Sequence, residues 1–148
     1  DLHALLHPPQ LEGLGLEAAL RAEAERFSTT PPAHVALNIA ALPQRPAAEI
    51  ELACFRIVQQ LLRQATAYGT QIRSFLQLQD EGDNLRLRLE FDQLIPCPSL
   101  LRAWATAVHG DLSVDALPEV GVRFELRLPY VLPDAPPKTA APAHTSAY

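Results

Sequence analysis

Methionine is absent from this 148-residue chain, and lysine occurs once, at Lys138. A lone lysine leaves no ammonium cluster to hold phosphates, and without a basic run the chain offers no nucleic-acid surface. The net charge of -5 points the same way. Only two cysteines are present, Cys54 and Cys97, with no metal-ligand spacing and too few for a disulfide framework. A reducing, cytoplasmic setting is therefore expected. No apolar run approaches the roughly 20 residues that cross a bilayer, and no charged-then-apolar signal segment opens the chain. A sequence that begins at Asp1 without a methionine is expected to be cut from a longer protein, in which a membrane anchor could lie upstream.

What the chain does have is material for a core. With 48% hydrophobic and 20% charged residues, this length suits one globular domain. Although the chain holds 14 prolines, none falls between Ala47 and Ile95. The longest helical pattern lies there, from Ala47 to Tyr68, with Cys54, Ile57, Val58, Leu61, Leu62 and Ala65 on one face. Pro46 precedes its first turn and Gly69 follows its last, as start and stop signals do. Gln60, Gln64 and Tyr68 step by four beside the apolar stripe, and function is expected on that row.

The other elements flank this helix. Leu16 to Phe27 reads as an amphipathic helix, with Leu16, Ala19, Leu20, Ala24 and Phe27 inward and Glu17, Arg21, Glu23, Glu25 and Arg26 mostly opposite. His34–Ala40 and Gln71–Leu78 alternate as half-buried strands, the second with Ile72, Leu76 and Leu78 on one face. Asp80–Asn84 is a hairpin turn by composition. Leu85–Phe91 is the clearest strand, leucines inward, with Arg86, Arg88 and Glu90 as a solvated face. Ser99 is placed as the N-cap of a helix burying Leu100, Leu101, Trp104 and Val108, which His109-Gly110 ends. A closing hairpin pairs Asp111–Asp115 with Val120–Pro129. This order predicts an α/β two-layer sandwich with helices on one face of a mixed sheet. Cys54, Ile57, Val58, Leu61 and Leu62 should pack on it against Leu76, Leu87, Leu89 and Leu101. Pro133–Tyr148, rich in proline and alanine, is expected to be a disordered tail.

Phe55-Arg56-Ile57-Val58-Gln59-Gln60-Leu61-Leu62-Arg63-Gln64-Ala65-Thr66-Ala67-Tyr68-Gly69 resembles the nucleotide-binding helix of sensor histidine kinases. Leu5 to Leu16 resembles the join between their dimerisation hairpin and ATPase domain, and the Asp111–Pro129 hairpin resembles their closing strands, with Gly121 kept. The resemblance runs from about Leu5 to Pro129 and implies the ATPase fold shared with gyrase-type and Hsp90-type ATPases. It divides the chain into 1–10, the end of an upstream helical segment; 11–131, the ATPase-like domain; and 132–148, the tail. The family's phosphorylated histidine would lie upstream of Asp1, so neither His3 nor His7 stands for it.

The family's working residues differ here. A Glu, an Asn and a basic residue at four-residue steps face ATP and its magnesium ion in such kinases; Gln60, Gln64 and Tyr68 occupy those places. The adenine-reading carboxylate aligns with Phe91, Asp92 stands one residue late, and the glycines that follow are missing. Only Pro96-Cys97-Pro98 intervenes where a flexible lid belongs. The resemblance thus marks Gln60, Gln64, Tyr68, Phe91 and Asp92 as the ATP-site positions, with no catalytic residue, no metal ligand and no bound ATP or magnesium expected. A shallow pocket beside the glutamine row, plugged by Tyr68 and Phe91, is expected in its place.

The function implied is that of a degenerate kinase domain acting in two-component signalling as an interaction module. Its partners would be a response-regulator receiver domain or a sister kinase subunit, with a homodimer formed through the upstream hairpin and no nucleic acid bound. Two alternatives stay open. One is a phosphotransferase whose histidine lies upstream; the other is a divergent but active kinase domain that takes ATP and magnesium.

Overall fold

The computed structural model describes residues 9–28, 34–68 and 72–130. The element order is α1 (Pro9–Leu14), α2 (Leu16–Ser28), β1 (His34–Ile39), α3 (Ala48–Tyr68), β2 (Arg73–Asp80), β3 (Asn84–Phe91), α4 (Leu100–Ala107), β4 (Asp111–Leu117) and β5 (Gly121–Pro129). The upstream helix end expected before Pro9, the Gly69 cap and the tail from 132 lie outside the described residues.

The strands form one sheet in the order β1-β2-β3-β5-β4. β1 runs parallel to β2, with Leu37 beside Leu76, because α3 carries the chain back between them. The other pairings are antiparallel, Leu87 facing Leu78 on one side and Leu126 on the other. The mixed sheet and one-sided helices match the expected α/β architecture.

Alternation decides which face meets the helices. Leu85, Leu87, Leu89 and Phe91 of β3 are buried, as are Val122, Phe124, Leu126 and Leu128 of β5. Against them lies α3, whose expected stripe is buried in full; Ile50, Leu52, Ala53 and Phe55 widen it near the helix start. Ile57, Val58 and Leu61 meet Leu87, Leu89, Leu112, Phe124 and Leu126 around a void of about 10 Å³. That is space for one water at most, and with no polar partner in its wall the void stays dry.

Three details depart from the sequence-based expectation. Glu23 is not on the solvent side of α2 but buried, its Oε2 accepting from the Arg26 guanidinium at 3.1 Å; an arginine one turn on lets the carboxylate go inside. Leu100 is 55% exposed, since the buried face of α4 is centred on Leu101, Ala105 and Val108. Ser99 holds the N-cap place in helical backbone geometry and makes no side-chain cap. The six-residue α1 also has no counterpart in the sequence reading, because Gly13 interrupts its short pattern and Gly15 follows directly.

The sheet's other face is charged and internally paired. Arg88 meets Glu125 at 3.0 Å, Arg123 meets Glu90 at 2.9 Å and Arg86 meets Glu81 at 3.3 Å, while Arg86 also bonds Gln79. The solvated face expected for Arg86, Arg88 and Glu90 is thus a lattice of cross-strand ion pairs.

Candidate functional site

The row marked by the sequence lies on the last two turns of α3. Leu61, Leu62 and Ala65 stay buried there, while Arg63 and the residues from Thr66 to Tyr68 are exposed. Gln60 and Gln64 are half-buried there, and Tyr68 is 54% exposed. Tyr68 therefore does not plug a pocket; it is the last residue of the helix, beyond the reach of the core. The void described above is on the sheet side of α3, and none of the three residues lines it.

Phe91 is separate from this row. It is 2% exposed and sets its ring edge-to-face on Phe124 with centroids 6.0 Å apart, so it belongs to the core. Asp92 is exposed and occupied by the backbone: its Oδ1 accepts the Arg73 N–H at 2.9 Å, and its own N–H donates to the Arg73 carbonyl at 3.0 Å. Those two bonds close the β2–β3 ladder at the end where the family's glycines would begin.

A glycine is still needed there, but it comes from the other strand. Gly121 opens β5 at φ +150°, and a Cβ on it would sit 1.8 Å from the Phe91 carbonyl oxygen. β5 thus crosses the Phe91-Asp92 backbone at a distance only glycine permits. The chain then passes through Pro96 and Pro98 to α4, with Ile95 buried and Cys97 exposed.

Chemically, the α3 row offers two amides and a phenol. These exchange hydrogen bonds but present no anionic oxygen to a cation. The cations lie next to it: Arg56, half-buried, donates to the Gln59 Oε1 at 2.7 Å and rests over the Phe55 ring at 5.9 Å. Burial lowers the Arg56 pKa, and the like charge of Arg63 lowers it further, against the pull of Glu23.

A second polar cluster escaped the sequence. Arg45 donates to both oxygens of Glu51, at 3.2 and 3.0 Å from Nε, and to the carbonyls of Leu11 and Glu12 at 2.8 and 2.9 Å. Glu51 is 2% exposed and also takes a backbone hydrogen bond from Leu16. Its pKa is raised, burial outweighing Arg45, whereas Arg45 has its own pKa raised chiefly by the Glu51 hydrogen bond. The two directions differ because half-exposed Arg45 keeps its hydration while Glu51 surrenders its own. No periodic signal marks a carboxylate that a loop arginine neutralises from six residues away.

No family model matches this sequence, and no curated protein matches it. Solved structures do share its arrangement. The Erythrobacter litoralis EL346 blue-light activated histidine kinase aligns with 78% of this chain at TM-score 0.64 and 18% identity; the chain spans only 45% of that protein's length. The nucleotide-free catalytic domain of the histidine kinase ThkA aligns at TM-score 0.57 and 12% identity over 79% of this chain and 94% of its own. The ATP binding domain of PrrB from Mycobacterium tuberculosis does so at 0.53 and 15%, over 77% and 93%. In its strand order, its one-sided helices and its long α3, this chain has the fold of the ATP-binding catalytic domains of histidine kinases.

Proposed function

We propose that the chain is a degenerate histidine-kinase ATPase-like domain, serving two-component signalling as a protein-interaction module without magnesium-ATP. Asp92 is the observation that carries this. It is the carboxylate nearest in sequence to the family's adenine-reading place, and it is held by the Arg73 backbone. The implied nucleotide and metal do not fit the remaining residues either. Gln60 and Gln64 are neutral amides, poor ligands for an ion that prefers carboxylate and water oxygens. Phosphoryl transfer needs a metal bridging the phosphates and groups that hold them. Phe91 lies in the core and prolines stand at 96 and 98, so at these described positions no side chain is offered to base or phosphates. The partner is then a receiver domain or a sister subunit, joined through a helical hairpin upstream, on the cytoplasmic side.

Thermal melts with and without millimolar ATP, magnesium and a non-hydrolysable analogue test this directly. The expected result is an unchanged melting temperature, since a ligand stabilises a protein only when its concentration reaches its dissociation constant. A reproducible upward shift that disappears in Gln64→Ala would make the domain a divergent nucleotide binder.

A further inference from the structure

Where the arginines find their counter-charges is uneven. Arg86, Arg88, Arg123 and Arg127 each meet a glutamate on the charged sheet face, Arg45 has Glu51, and Arg26 has Glu23. Arg56 and Arg63, like Arg21, Arg73 and Arg102, have no carboxylate within ion-pair distance among the described residues, but of these five only Arg56 and Arg63 share one helix. They lie seven residues, or two turns, apart on the exposed line of α3, about 10 Å along the helix axis, with Gln60 between them. Glu49 stands two turns before Arg56 on the same line, and Glu23, the nearest buried acid, is already engaged by Arg26.

Arg56 is a half-buried guanidinium fixed in place, whose one hydrogen-bond acceptor is a neutral amide. Part of its hydration is gone and Glu23 acts on it only from a distance, so an incoming carboxylate meets a cation already oriented and partly desolvated. Arg63 is exposed and free to follow. In a chain of net charge -5, two cations on the second half of this helix line also give an acidic partner a preferred angle of approach.

We propose that the line of α3 carrying Arg56, Gln60 and Arg63 docks an acidic segment of a partner protein, presenting two carboxylates about 10 Å apart. The proposal rests on the interaction-module reading and names its surface. Seven-residue spacing on a facing helix supplies such a pair, and the Gln60 amide is placed to hydrogen-bond between the two ion pairs.

A fluorescent helical peptide with two glutamates seven residues apart, and its double-glutamine counterpart, provide the probe. Anisotropy at low salt with the 148-residue chain should show binding of the glutamate peptide alone. Arg63→Gln and Arg56→Gln should each weaken it about three- to tenfold, while Arg73→Gln and Arg102→Gln leave it unchanged. Arg63 is exposed, so its variant folds even if Arg56→Gln disturbs packing. The docking face is wrong if neither peptide binds, if both bind equally, or if Arg73→Gln weakens binding as much as Arg63→Gln. Displacement by inorganic phosphate beyond that caused by chloride of equal ionic strength also overturns it, in favour of a small-anion site. Magnesium-ATP melts on the same preparations separate the failures. A flat melt without peptide binding removes only this surface, whereas an upward shift removes the module reading beneath it.

Discussion

Burial divides the two cysteines. Cys54 lies wholly inside α3, where loss of hydration pushes its thiol up to about 12, so no thiolate forms near neutrality. Cys97 is exposed between its prolines, its thiol also raised by partial burial but reachable by solvent. An aromatic disulfide reagent at mildly alkaline pH should therefore modify one thiol in the folded chain and the second only after denaturant is added. Two fast equivalents would show that the α3 core opens. Gly121 makes an equally sharp prediction. With a Cβ forced to 1.8 Å from the Phe91 oxygen, Gly121→Ala must displace β5 or β3, and a loss of more than about 2 kcal/mol in urea unfolding is expected. The sequence resemblance preserved this glycine without showing its reason, which is the backbone of another strand.

Among elements, the strands and α3 were legible because each repeats one pattern over many residues. Leu85 to Phe91 alternates without exception, and all six residues of the α3 stripe are buried. Where a partner elsewhere in the chain decides, the pattern misleads. Glu23 reads as surface until Arg26 neutralises it, Leu100 loses its place to Ala105, and Tyr68 keeps the helical step on the exposed last turn of α3. The same holds for the site: the row was visible in the sequence, but that Asp92 serves Arg73 and Phe91 serves Phe124 depends on strand register. The Arg45–Glu51 pair lets this level be tested by pH. Because Glu51 has its pKa raised by folding, the folded chain takes up a proton where the unfolded chain does not. Its contribution is complete below the ordinary glutamate value of about 4.3 and is lost as pH rises through the raised folded value. The stability of the native chain relative to Glu51→Gln should thus grow as pH falls from 7 to 5. Urea midpoints for both proteins at the two values check this, and a difference that shrinks on acidification contradicts the assigned direction.

At the scale of the whole molecule, the loop between β1 and α3 ties the domain together. Arg21 bonds the Ile39 carbonyl and Glu17 accepts the Leu42 N–H, so α2 holds the loop's start. Its next residues reach both ends of the described chain. Gln44 donates to the Tyr130 hydroxyl at 3.1 Å, just past β5, and Arg45 grips the carbonyls of α1. Entry and exit are thereby anchored on consecutive residues. A fold whose described ends are both held by one loop can take a new break in an exposed turn. Joining α1 to Tyr130 by a linker and opening the exposed turn at Gly82 keeps the five-stranded order intact, while loosening the turn's own bonds, among them the Tyr130 N–H to the Asp83 carbonyl and the Gly82 N–H to Asp80 Oδ1. The domain is in this sense a ring closed by two side chains, and a circularly permuted chain can trace the same ring from a new starting point.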